Sequence, residues 1–147
     1  MSFINKSIAI GSDHAGYDLK VKVMAYLKEK GIEFVDYGTN SSESVDYTEY
    51  AHQVAKVIEK NEHPCGILIC GSGIGVSITA NRYRHIRCAL CWEPEIAVLA
   101  RKHNNANVLA LAGRFTEITT AKKIVDAFIE TDFEGGRHLI RIQKINI

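Results

Sequence analysis

Apolar runs alternate with amphipathic stretches about five times along the chain, the pattern of a parallel sheet covered by helices on both faces. The runs Ser7 to Ser12, Glu33 to Tyr37, Gly66 to Cys70, Cys88 to Leu90 and Val108 to Ala112 predict strands. Tyr17 to Lys30 carries Leu19, Val23, Tyr26 and Leu27 at helical spacing and meets Gly31, a common helix-ending residue. Tyr47, Tyr50, Ala51, Val54, Val57 and Ile58 recur at i, i+3, i+4, i+7, as do Ile118, Ala121, Val125, Phe128 and Ile129, predicting two more core-facing helices. Pro94 suits the first turn of a helix reaching about Lys102, whose apolar line of Ile96, Leu99 and Ala100 continues to His103. The expected architecture is one doubly wound α/β domain over residues 1–147. No repeat or linker interrupts it, although Gly38 to Ser44 is a polar loop and a basic tail begins at about residue 135.

Composition narrows the function classes. With 147 residues, 46% of them hydrophobic, the chain can bury one continuous core without metal or disulfide staples. A net charge of +1 gives no global field for nucleic acid or anionic membrane, so any anion site must be local. The start, MSFINKSIAIGSDH, lacks a basic flank before a long apolar run, and no stretch approaches bilayer length. The expectation is a cytoplasmic protein with neither membrane nor nucleic-acid partner. Arg82, Arg84, His85 and Arg87 form a dense basic run, read as an exposed connection because aromatic residues hardly interleave it. Cys65, Cys70, Cys88 and Cys91 read as reduced thiols. The C-x-x-C of Cys88 and Cys91 falls in the predicted strand stretch Ile86 to Trp92, where alternation sends the two to opposite faces rather than to one metal.

Ligands of such sheets collect at the carboxyl ends of the strands, where loops and helix N-termini converge. The first strand runs into Ser12, Asp13 and His14, and the third ends in Cys70 followed by GSGIG, Gly71 to Gly75. The fifth is preceded by His103 and Asn104 and followed by Gly113 and Arg114. All three groups are expected to share one site. The glycines let bare amides approach an anion. The loop is neither the dinucleotide G-x-G-x-x-G nor a P-loop, and a turn that binds nothing is the competing reading. A thiol facing amide donors near a helix start is in a setting that favours a thiolate, so Cys70 is a candidate base or nucleophile. The C-x5-R loop of cysteine phosphatases is excluded, since Val76 stands where the arginine is required.

Arg137 and Arg141 fall at i, i+4, on one face if the tail is helical, and could grip a phosphate; a solvated basic tail is the alternative. His14 and His103, read singly, would be structural histidines. Isomerisation through an enediol needs a base reaching two adjacent carbons, a proton donor at the ring oxygen, an oxyanion site and a phosphate anchor. Cys70, His103, the GSGIG loop and the arginines supply these four.

The segments GSDHAG at 11 to 16, YGT at 37 to 39, SVDY at 44 to 47, ICGSGIGVSITAN at 69 to 81, RKHNNANVLALAGR at 101 to 114 and EGGRH at 134 to 138 together resemble the type B ribose-5-phosphate isomerases. The resemblance implies a Rossmann-like five-stranded parallel sheet. It also implies a homodimer or dimer of dimers with an interface site built by both subunits, no cofactor and no metal. The substrate class it implies is a small sugar phosphate, ribose 5-phosphate, isomerised through a cis-enediolate in the pentose phosphate pathway. Cys70 matches the proton-transferring base of the thiol branch, other members using a glutamate elsewhere. Asp13 and His103 match the pair that assists ring opening. Ser72 and the amides of Gly71, Gly73, Ile74 and Gly75 match the anion hole. His14, Arg137 and Arg141 match the phosphate grip, with Tyr47, Asn104 and Arg114 also lining the site. Two departures stand out: Ser72 replaces a common threonine and keeps its hydroxyl, and Thr48 stands where a proline often follows D-Y. The alternatives are a hexose-phosphate isomerase acting on allose 6-phosphate or galactose 6-phosphate, and a non-catalytic flavodoxin-like binding module.

Overall fold

A computed structural model describes residues 1–147. Five strands, β1 (Ile8–Ser12), β2 (Phe34–Asp36), β3 (Cys65–Cys70), β4 (Cys88–Leu90) and β5 (Val108–Ala112), form one parallel sheet in the order β2-β1-β3-β5-β4. The helices are α1 (Tyr17–Glu29), α2 (Tyr47–Glu59), α3 (Ile74–Ala80), α4 (Pro94–Asn104), α5 (Ile118–Glu130) and α6 (Arg137–Ile142). This is the Rossmann-like α/β arrangement expected from the sequence, with boundaries moved by a residue or two at most.

Strand alternation explains how the sheet is covered. On β1, β3 and β5 the side chains of Ile8, Ile10, Cys65, Ile67, Ile69, Leu109 and Leu111 enter one core, closed by α1, α4 and α5. Their neighbours Ala9, Leu68, Cys70, Val108 and Ala110 face the other way, into a smaller core closed by α2 and α3. Cys91 belongs to the first core and Cys88 packs against the second, so the C-x-x-C pair is split across the sheet as alternation requires. No helix is long and apolar enough to cross a membrane.

Two fully buried cations were invisible to periodicity. Lys20 Nζ donates to Asp36 Oδ1 and to the Thr39 carbonyl, both at 2.6 Å, clamping the loop after β2 onto α1. Arg101 donates to the carbonyls of Thr131, Ala106 and Met1 and to Asn105 Oδ1, and its guanidinium lies 4.2 Å from the Phe3 ring centroid. Each charge is tolerated because nearly every donor has a partner.

Candidate active site

Connections from β1 and from β3 leave in opposite directions across the sheet, so the carboxyl ends of these neighbours open a crevice at the switch point. A cleft of about 340 Å³ sits there, lined by Asp13, His14, Tyr47, Cys70, Gly71, Ser72, Gly75 and Arg114, together with Ala15 and Phe115. A larger groove of about 530 Å³ lies at the opposite edge, but its Lys30 is already engaged by Asp126 and Glu130, and it contains no thiol or histidine.

The floor of the cleft is backbone held at close quarters. A Cβ on Gly16 would lie 2.5 Å from the Ile69 carbonyl oxygen, so only glycine lets the loop after β1 rest on β3. Gly113 N–H donates to the Cys70 carbonyl at 2.7 Å and Arg114 N–H to the Gly71 carbonyl at 3.0 Å, which fastens the loop after β5 to the loop after β3. The Arg114 side chain is thereby laid beside Gly71, and it forms no ion pair within the chain. Gly73 takes the left-handed conformation, φ 75°, at the start of α3. The Tyr47 ring, from the first turn of α2, presses on Gly75, where a Cβ would meet it at 2.6 Å.

Each polar side chain of the cleft has a defined orientation. Asp13 is buried, and its Oδ1 accepts the Gly16 N–H at 2.9 Å. The Val45 backbone fixes the His14 ring: its N–H, 3.1 Å from Nδ1, donates when the ring proton is on Nε2, and its carbonyl, 3.2 Å away, accepts when the proton is on Nδ1. Ser72 Oγ accepts the Ile74 N–H at 3.2 Å, leaving its own hydrogen for a ligand. The amides of Gly71, Ser72 and Gly73 donate to no acceptor within the chain. Cys70 closes β3 beneath them. Cys65 and Cys91 are buried and Cys88 half-buried, and loss of solvent pushes each of these three thiols up to about 12.

His103 and Asn104 lie elsewhere, which corrects the expectation that they join the other strand-end groups at the carboxyl edge. His103 and Asn104 end α4 and precede β5, and a residue preceding a parallel strand lies at the amino edge, opposite Cys70, which is in register with Ala112. Arg137 and Arg141 do fall on a helix, α6, but it packs on α4 rather than on the cleft. Both arginines are exposed and neither forms an ion pair. The His103 and His138 rings stack at 4.4 Å between centroids, 11° apart, and His103 Nε2 lies 3.8 Å from Glu134 Oε2. Loss of solvent, then the His103 ring and Arg137, hold His138 below the usual histidine range; Glu134 opposes them.

Sequence reasoning passed over several neighbours of these groups. Phe115 stands 81% exposed at the cleft mouth, directly after Arg114. Arg87 is not the free surface cation expected: its Nε donates to the Asn104 and Asn105 carbonyls, fixing the end of α4. Glu134 and His138 stand in the EGGRH motif, yet only their spatial pairing with His103 distinguishes them.

Comparison with known proteins gives a consistent set of relatives. The family model described as Ribose/Galactose Isomerase matches residues 8–145. Ribose-5-phosphate isomerase B of Escherichia coli (strain K12) is 49% identical over 140 residues, covering 95% of this chain and 94% of that protein. The crystal structure of a ribose 5-phosphate isomerase from Thermotoga maritima superposes with a TM-score of 0.95 at 57% identity, covering 96% of this chain and 97% of the other. That of ribose-5-phosphate isomerase B from Mycoplasma genitalium, with bound ribulose-5-phosphate, gives 0.91 at 45% identity, covering 95% and 93%.

Proposed function

The chain belongs to the Ribose/Galactose Isomerase family, and from that membership we propose that its carboxyl-edge cleft interconverts D-ribose 5-phosphate and D-ribulose 5-phosphate. The observation that carries the reading is the convergence of Cys70, Asp13, His14 and the unpartnered amides of Gly71 to Gly73 in one crevice, beside relatives with that activity.

The chemistry needs no outside oxidant or reductant. Asp13 and His103 assist ring opening by managing the proton at the ring oxygen. The Cys70 thiolate then takes the proton from C2 of the open aldose, and the electron pair moves into a C1–C2 double bond with the charge on O1. The free amides of Gly71, Ser72 and Gly73, with the Ser72 hydroxyl, stabilise that cis-enediolate, whereas the Ile74 N–H, which the resemblance implied for the anion hole, is taken by Ser72 Oγ. Return of the proton to C1, with transfer of the O2 hydroxyl proton to O1, yields the ketose. His14, Arg137 and Arg141 hold the phosphate, and Tyr47, Asn104 and Arg114 line the walls.

One chain offers these groups at two opposite edges, so the working site takes the Cys70 group from one copy and the His103, Asn104, Arg137 and Arg141 group from a second. That reading makes the enzyme a homodimer or a dimer of dimers. It includes a place in the cytoplasm, in pentose phosphate metabolism.

The test is formation of ribulose 5-phosphate from ribose 5-phosphate by the purified protein. Cys70→Ala should lower turnover by about 10²- to 10⁴-fold while substrate still binds, the usual loss for a positioned base. Near-normal turnover in Cys70→Ala would move the base elsewhere, with Asp13 next to be tested. Inactivity of the unaltered protein on both pentose and hexose phosphates would return the fold to a non-catalytic binding module.

A further inference from the structure

Outside the cleft, the densest set of metal-ligating side chains is His103, Glu134 and His138. Glu134 N–H donates to the Lys102 carbonyl at 3.1 Å, which lays the segment after α5 against the end of α4. Gly135 and Gly136, at φ 71° and 57°, then turn the chain so that α6 returns His138 over His103. One ligand atom from each of the three residues lies within 4.8 Å of the other two. The other surface pair, His85 with Glu59 at 3.0 Å, has no third donor.

We propose that His103, Glu134 and His138 form a binding site for a divalent transition-metal ion of the zinc type. Two imidazoles and one carboxylate are a donor set zinc accepts in tetrahedral sites with an open fourth position. The same set disfavours calcium and magnesium, which require mainly oxygen ligands. The stacked rings aim their nitrogen lone pairs along nearly parallel planes, whereas an ion about 2.0–2.1 Å from each nitrogen needs those directions to converge. The stack must therefore open on binding. His138 is buried and stays as the fixed ligand, while the His103 and Glu134 side chains, 41% and 55% exposed, are free to swing toward it. On the reading given under Proposed function, the ion withdraws His103 from ring opening, so zinc inhibits.

The experiment titrates Zn²⁺ alone into the untagged, metal-stripped full chain by calorimetry, with the histidine Cε1 protons followed by NMR. The expected result is a single ion per chain, movement of two of the six histidine resonances as the stack opens, and binding weakened at least about tenfold by Glu134→Gln and by His138→Gln. Isomerase activity should fall over the same zinc range and return with chelator. Unchanged affinity in both variants, or resonance shifts confined to His52 or His85, would overturn the site. Glu134→Gln alters an exposed side chain and decides the matter even if His138→Gln fails to fold. Site binding that leaves turnover untouched at saturating zinc would uphold the metal site and remove His103 from the proposed ring-opening step.

Discussion

Mixing two inactive variants tests whether the site is shared between copies. Cys70 is in register with Ala112 at one end of β5, and His103 precedes Val108 at its other end. Four strand steps separate the two ends by about 13 Å, before the opposite faces of the sheet are considered. A general base or acid must come within about 2.6 to 3.2 Å of the proton it moves. One molecule of substrate therefore cannot meet Cys70 and His103 of the same chain. Cys70→Ala and His103→Ala homodimers should each be close to inactive. In a mixed dimer, one site carries both lesions and the other carries neither. Equal amounts of the two variants, unfolded together and refolded, place half the dimers in the mixed state, so about one quarter of wild-type turnover should return. The measurement is ketose formation against the mixing ratio, with a maximum at equal parts. A mixture no more active than its better component would mean that both groups serve one chain's own site, and the division between the two sheet edges would have to be abandoned.

Arg137→Ala and Arg141→Ala should each raise KM for ribose 5-phosphate about tenfold to a hundredfold with the fold intact, the weight of one charge-assisted contact. Unaltered kinetics in both would make α6 a solvated tail. His103→Ala should impair formation of ribulose 5-phosphate from cyclic ribose 5-phosphate more than exchange of the C1 proton of ribulose 5-phosphate with solvent, which passes through the enediolate without ring opening; equal losses in the two assays would oppose a ring-opening role. Cys65 supplies the pH prediction. Its thiol is raised from 9.0 to about 12 by burial, so above pH 9 the unfolded chain loses a proton that the folded chain keeps. Stability from this group is complete below pH 9 and falls by about 1.4 kcal/mol per pH unit as pH rises toward 12. Urea unfolding of the wild type and of Cys65→Ala should converge by that amount with rising pH, and a pH-independent gap would refute the assignment.

Most of the fold was legible because the apolar periodicity that marks each element is also what covers the sheet. Ile67 and Ile69 alternate with Leu68 and Cys70 between two cores, as a central strand buried on both faces must. What misled was order along the chain. A polar residue after a parallel strand and one before it look alike in sequence, yet they lie at opposite edges. Asp13 and Arg114 follow their strands, Cys70 ends its own, and the three converge; His103 and Asn104 precede theirs and do not. Buried Lys20 and Arg101 were illegible for a different reason. Lys20 takes partners 16 and 19 residues away, and Arg101 takes one 100 residues away, so local spacing contains no sign that the donors of these charges are satisfied.

The close-packed glycines set where this enzyme can change its appetite. Because the cleft floor is main chain, with Gly16 against the Ile69 backbone, a side chain added there collides instead of reshaping the pocket, whereas one added at Gly75 would push on the exposed Tyr47 ring of the wall. Selection for a sugar one carbon longer would have to work on the walls, at Tyr47, at the exposed Phe115, or on what a second copy presents. The floor would pass unchanged through such a shift, and related enzymes with different sugars should diverge at the rim while keeping the same glycines beneath it.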